Sequence, residues 1–128
     1  MRDHTYRLVA VLASFLFMIA AHEAQARAWG WAKRLPVNHY SAEDIEIVRP
    51  VIREALENGT NGEAVEWRNA DSGHSGSITP LSDTEQNNRR CRQTRFTSFT
   101  QGEQAVSEFF LCRQPDGVWA VEEPLNQQ

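Results

Sequence analysis

Cysteine and histidine are scarce in this 128-residue chain, with two and four respectively. No C-x-x-C occurs, and two cysteines with scattered histidines give no metal-ligand spacing. Basic excess is absent too. Thirteen Lys and Arg against seventeen Asp and Glu leave a net charge of −4, where a nucleic-acid binder shows a strong positive balance. There is no glycine-rich phosphate loop and no dinucleotide fingerprint, so no cofactor is expected. Long hydrophobic runs are missing as well. Leu8 to Ala21 spans 14 residues, fewer than the roughly 20 that a membrane-spanning helix needs.

That run belongs to an export signal. Arg2 and Arg7 form a basic n-region, and Ala24-Gln25-Ala26 fits the small-x-small cleavage pattern. Residues 1–26 therefore read as a secretory signal peptide, with an uncleaved membrane anchor as the alternative. No cysteine lies near the cleavage site, which speaks against a lipid attached there. Cleavage removes Arg2 and Arg7 with Asp3 and Glu23, so the 102-residue mature chain keeps its net charge of −4. That length holds one domain at most. Two cysteines in an exported chain predict one disulfide, with a reactive thiol pair as the alternative.

The stretch from Cys91 to Val121 organises the rest. Residues that face each other across a hairpin share a constant index sum. A turn at Gln101-Gly102 makes that sum 203, and Cys91 with Cys112 also gives 203. Directly opposite residues have Cβ atoms about 4.5–5.5 Å apart, and modest closure brings them to disulfide range. Turn and cysteines thus choose the same register. Gln-Gly is a poorer tight turn than Asn-Gly, so a longer loop is the alternative. A closed loop slightly above 15 residues predicts a stabilisation of about 3 kcal/mol.

Ahead of this hairpin, residues 27–40 (RAWGWAKRLPVNHY) read as a linker, because Gly30 and Pro36 interrupt any helix. Trp29 and Trp31 beside Arg27, Lys33 and Arg34 form an aromatic–basic cluster. Such a cluster suits peripheral contact with a membrane surface; the alternative is a tether whose tryptophans lie on the domain. Residues 41–122 are expected to form the domain and 123–128 a disordered tail. Ser41 begins a helix, with Asp44 in the place of the usual capping-box Glu. Ile45, Val48, Ile52, Ala55 and Leu56 recur at helical spacing, and Asn58-Gly59 supplies the stop. Pro50 predicts a bend near Glu46 to Pro50, or two short helices.

Five strands are expected next. The first runs from Ala64 to Asn69 and the second from Ser75 to Leu81, ending near Pro80. Asp83 to Asn88 reads as a polar loop. The Cys91–Cys112 hairpin supplies two strands, and Pro115-Asp116-Gly117 turns into Val118 to Val121. The fold class is thus α+β, one bent helix on a curled antiparallel sheet with a cross-strand disulfide. The hairpin register places Phe96, Phe109 and Leu111 on one face. The other face receives the cysteines, Phe99, Val106 and Phe110, with Arg95 opposite Glu108. One helix covers only one face. The second is left to sheet curling, to the N-terminal tryptophans, or to a partner.

Trp67-Arg68-Asn69, Ser72-Gly73, Gly76, Thr79-Pro80, Cys91-Arg92 and Cys112-Arg113-Gln114-Pro115-Asp116-Gly117-Val118-Trp119 form an ordered set. Over roughly residues 42–121 it resembles the C-terminal domain of the 17-kilodalton surface antigen family of Gram-negative bacteria. The resemblance implies an envelope location, at the outer membrane or its periplasmic face, and no catalytic residues. Members resembling the antigen itself carry a lipoprotein cysteine and a glycine-rich hairpin ahead of this domain. Gly30, Gly59 and Gly62 are too sparse for such a hairpin, so a periplasmic or peripherally docked form is equally consistent.

Other constellations invite chemistry less well. Gly73-His74-Ser75-Gly76-Ser77 falls short of G-x-S-x-G, and a strand is expected after it where the nucleophile elbow needs a helix. Asp71 lies near His74 in sequence, but a triad is defined by spatial roles. Glu43, Asp44, Glu46, Glu54 and Glu57 read as a solvated helix face rather than a glycosidase pair. Arg89, Arg90, Arg92 and Arg95 read as a solvated strand face, with anionic lipid or polysaccharide as the sharper alternative. Trp67 and Trp119 read as core residues before sugar platforms. The expectation is a non-catalytic envelope module that contacts the outer membrane, peptidoglycan or another envelope protein. The alternative is a soluble periplasmic binding or inhibitor module. Neither reading assigns a catalytic, cofactor or metal residue; the one site called is the disulfide of Cys91 and Cys112.

Overall fold

The computed structural model describes residues 40–125. The signal peptide, the Trp29–Trp31 cluster of the linker and the last three tail residues lie outside them. Helix α1 spans Ala42–Asn58. Its start is a complete capping box: Ser41 Oγ accepts from Asp44 N at 3.1 Å, and the Asp44 carboxylate accepts from Ser41 N at 2.8 Å. The helix continues through Pro50 as one element rather than two. Pro50 and Glu46 are exposed, so solvent reaches the carbonyl that the missing N–H leaves. Val48, Ile52, Ala55 and Leu56 are buried along one stripe.

Strands β1 (Val65–Arg68), β2 (Ser75–Gln86), β3 (Arg89–Thr100), β4 (Glu103–Arg113) and β5 (Trp119–Val121) form an antiparallel meander in chain order. In the β3–β4 pair Cys91 stands opposite Cys112 and Arg95 opposite Glu108, as the index sum requires. Gln101 and Gly102 have φ of 52° and 79°, the two positive values of a type I′ turn, so no longer loop forms. Cys91 and Cys112 are disulfide-bonded with Cα atoms 4.0 Å apart.

Strand β2 is longer than its sequence suggests. A bulge between Pro80 and Ser82 shifts the register, and the strand continues through the stretch read as a polar loop, as far as Gln86. Asn87 and Asn88, at φ 53° and 59°, make the actual turn. The bulge also inverts which side chains face the helix. Before it, Gly76, Ile78 and Pro80 are buried inward. After it, Asp83 pairs across from Arg92 on the inner face, while Ser82 and Thr84 pair with Gln93 and Cys91 on the outer face.

The core lies between α1 and the inner sheet face. Val48, Ile52 and Leu56 meet Trp67, Ile78, Phe96 and Leu111, all at most 7% exposed. Burial of each large aliphatic side chain stabilises by about 2 kcal/mol. Trp67 lies over Gly76, where a Cβ would come 2.7 Å from the indole nitrogen and collide with Thr97 O. A void beside Tyr40, Val48 and Ile52 measures about 10 Å³, at the lower limit for a single water and too small for a ligand. On the outer face Phe99 and Val106 are 45% and 53% exposed, and Phe110 is half-buried. The N-terminal tryptophans, one of the three candidates to cover that face, lie outside the described residues.

The chain end shields the disulfide. Glu122 N donates to Phe110 O at 2.9 Å. Gln86 then holds the next residues from both sides: its amide donates to Glu123 O at 3.2 Å and accepts from Leu125 N at 3.0 Å. Glu123 and Leu125 are therefore tied to β2, while residues 126–128 of the tail expected to be disordered lie outside the described residues. Among the described residues no helix is long and apolar enough to cross a membrane.

Candidate functional site

Two fully buried charges dominate the polar structure. The first is Asp44, 0% exposed in the first turn of α1. Its Oδ1 accepts from Asn69 Nδ2 and Ser72 Oγ, both at 2.7 Å, and its Oδ2 lies 2.7 Å from His74 Nδ1. The loop between β1 and β2 delivers all three donors. Asn69 N donates to His74 O, Gly73 N to Asn69 O and Asp71 N to Asn69 Oδ1, which closes that loop tightly. Burial alone would raise the Asp44 pKa. The donors from His74, Ser41, Ser72 and Asn69 outweigh it and hold the carboxyl well below the usual range.

Tyr40 closes the cluster. Its ring meets Trp67 edge-on at 5.0 Å and stacks on His74 at 6.3 Å. Burial pushes its phenol up to about 12, with Asp44 adding to the rise and a hydrogen bond with Ser98 opposing it. A carboxylate this acidic is a poor general base at neutral pH. The Ser72 hydroxyl is committed as well, donating to Asp44 and accepting from His74 N at 3.1 Å. The arrangement is a lock between the start of α1 and the β1–β2 loop.

Arg92 is the second buried charge, 1% exposed on β3. Nη1 donates to Ala55 O and Leu56 O at 3.0 and 3.1 Å. Nη2 donates to Gly59 O and Asn61 Oδ1 at 2.7 and 2.9 Å. Nε lies 2.6 Å from Asp83 Oδ1. Ala55 O also accepts from Gly59 N at 2.9 Å; the carbonyls beyond it lie past the reach of intrahelical donors, at the negative end of the helix dipole, and this guanidinium answers both. Burial lowers its pKa and the Asp83 carboxylate opposes that shift. The β2 bulge is what turns Asp83 toward it.

Glu57 joins the same end of the helix to β4 and β5. Its Oε1 accepts from Arg113 Nε and Trp119 Nε1, both at 2.9 Å. Burial would raise its pKa, but these donors and the nearby Arg90 charge bring it down. Arg89 makes a two-pronged contact with Glu122 at 2.7 and 2.9 Å, which lowers the Glu122 carboxyl. Arg90 donates to Glu57 O, and Arg95 Nε to Glu108 Oε1 at 2.9 Å. Every arginine of the basic run thus has an acceptor within the chain. Arg92 is no part of a solvated face.

The structure does not assemble the hydrolase constellation. Ser75 is a strand residue opposite Phe99 and Arg68, and β2 continues where a nucleophile elbow requires a helix. His74 pairs with Asp44, not Asp71. Of the helix carboxylates, Glu43, Glu46 and Glu54 are exposed as expected, whereas Asp44 and Glu57 are structural hubs. Cys91, Cys112 and Glu122 lie close enough for a metal group, but the sulfurs are bonded to each other and Glu122 is engaged by Arg89. Trp67 and Trp119, each 5% exposed, are core residues.

A profile of the 17 kDa outer membrane surface antigen family matches residues 54–120. The 17 kDa surface antigen of Rickettsia bellii (strain RML369-C) is 35% identical over 80 residues, which is 62% of this chain and 50% of that protein. Those of Rickettsia prowazekii (strain Madrid E) and Rickettsia felis are 36% and 37% identical over 81 residues, with the same shares of each chain. The chain spans about half the length of the curated relatives it matches. No solved structure matches. The matched segment holds β1 to β4 and the start of β5, with Asn69, His74, Arg92, the disulfide and Trp119, and it covers more than half of the sequence. The chain therefore belongs to the 17 kDa outer membrane surface antigen family.

Proposed function

We propose that the chain is a non-catalytic cell-envelope protein, a structural or interaction module at the outer membrane or in the periplasm of a Gram-negative bacterium. The observation that carries this reading is the commitment of its buried polar groups. Asp44 and Arg92 spend their hydrogen-bonding capacity on holding α1 to the meander, and both are buried. Family membership supports the envelope, as do the cysteines, because disulfides persist in oxidising compartments. The partner in this reading is peptidoglycan or another envelope protein, with peripheral membrane contact through the N-terminal aromatic–basic segment. The test is fractionation of the full chain, tagged at its C-terminus, in a Gram-negative host. Recovery with the outer membrane or sacculus after a salt wash is expected. Recovery in the cytoplasm with free thiols at both cysteines overturns the reading.

A second reading, a soluble periplasmic binding or inhibitor module acting on another envelope protein, draws on Phe99 and Val106. These are diagonal neighbours on the outer face, and both are exposed. Full release with the periplasm, together with crosslinking of a protein through position 99 or 106, selects it over the first.

A further inference from the structure

The register aligns Ser82, Gln93 and Phe110 in one row across the outer face of β2, β3 and β4, with Thr84 in the next row beside Cys91. Together with Pro124 and Leu125 of the returning tail they line an open groove of about 610 Å³. Small-molecule sites commonly measure about 300–1,000 Å³. The groove is built rather than incidental. The bulge turns Ser82 and Thr84 outward. Gln86 fixes the tail wall by accepting from Leu125 N and donating to Glu123 O, and Glu122 N anchors that wall to Phe110 O.

Its lining selects a chemistry. Ser82, Thr84 and Gln93 offer hydroxyls and an amide whose side chains make no hydrogen bond among the described residues. Phe110 gives a half-buried aromatic surface, and Pro124 and Leu125 an apolar wall. No Lys or Arg lines the groove and Glu85 is its single charge, which disfavours phosphate or any anionic headgroup. An acyl chain would leave the hydroxyls and amide unpaired. A pyranose ring has an apolar C–H face for the aromatic surface and hydroxyls for the polar row. An N-acetyl group adds a methyl for the apolar wall and an amide for Gln93.

We propose that this groove binds an uncharged glycan, a short stretch of β-linked N-acetylhexosamine chain of the cell-wall type. The proposal rests on the envelope reading and names a ligand within it. The test titrates tetra-N-acetylchitotetraose into the ¹⁵N-labelled, oxidised full chain and follows amide shifts. Saturable shifts centred on Ser82, Thr84, Gln93 and Phe110 are expected. Gln93→Ala should weaken binding by about tenfold, the scale of one lost hydrogen bond to a ligand, while Phe99→Ala leaves it unchanged. Phe110→Ala tests the aromatic floor, and Ser82→Ala replaces it if that variant unfolds. Absence of saturable shifts, shifts centred on Phe99 and Val106, or equal binding by Gln93→Ala overturns the proposal. A chain that fractionates with the envelope yet ignores the tetrasaccharide sinks the groove alone and leaves the envelope reading standing.

Discussion

Asp44 shows how much a residue's meaning depends on partners far away in sequence. Its place in the capping box was legible, because Ser41 is only three residues away. Its burial was not, because Asn69, Ser72 and His74 come from a loop 25 to 30 residues on, and a helix carboxylate ordinarily faces solvent. The consequence for stability has a definite sign. The folded carboxyl titrates below its unfolded counterpart, so the unfolded state takes up the proton first. The stability Asp44 contributes is complete above its ordinary pKa of about 3.9 and drains away as the pH falls toward the depressed value. Glu57 and Glu122, also lowered, slope the same way. Urea unfolding between pH 2 and 7 should show stability falling steadily below about pH 4. Asp44→Asn should flatten that limb by up to about 1.4 kcal/mol per pH unit; an unaltered limb would show that Asp44 is not the titrating group.

At the scale of elements, the β3–β4 hairpin was the most legible part, because two independent signals, the cysteine pair and the Gln-Gly turn, fix one register. The apolar stripe of α1 was legible for a similar reason: its period is unbroken except at Pro50. The second half of β2 was not. Beyond the bulge its outward residues are Ser82, Thr84 and Gln86, and its one deep inward contact is an ion pair, so it shows no apolar alternation. The Asn87-Asn88 pair, tolerant of positive φ, was the available signal for a turn there. Arg92 was hidden by its neighbours, three arginines that are accessible while it is not. Replacing Arg92 with Met keeps the length of the side chain and removes the donors. Leu56 O and Gly59 O would then lose the guanidinium donors, and Ala55 O would keep only the Gly59 N–H, at a cost of about 2–4 kcal/mol. Chemical denaturation should show that loss, and hydrogen exchange should show it concentrated at the end of α1. A change below about 0.5 kcal/mol would mean that solvent replaces the guanidinium.

For the molecule as a whole, the helix is tied to the sheet at both ends. The Asp44 lock holds its start to the β1–β2 loop, and Arg92 with Glu57 holds its end to β3, β4 and β5. The disulfide sits on the opposite face, beneath the returning tail, and staples the strands that carry Arg92 and Arg113. Cys91→Ser with Cys112→Ser should cost about 3 kcal/mol, read as a lower denaturation midpoint, and should release the Glu122 to Leu125 tail first because its floor is the disulfide row. The outer face, with Phe99 and Val106 exposed and the groove beside Phe110, is the surface left for partners. Its existence followed from the register, but its groove did not, because the tail was expected to be disordered.

On the proposed reading, the buried polar clusters serve the fold and the fold serves as an envelope module. The most direct measurement compares Asp44→Asn with the native chain in two readings at once: unfolding free energy at pH 7, and recovery of the tagged chain in the envelope fraction. A stability loss of about 2 kcal/mol is expected, with envelope recovery falling only as far as the folded fraction falls. Unchanged stability with an envelope role abolished would contradict it and make Asp44 a working chemical group.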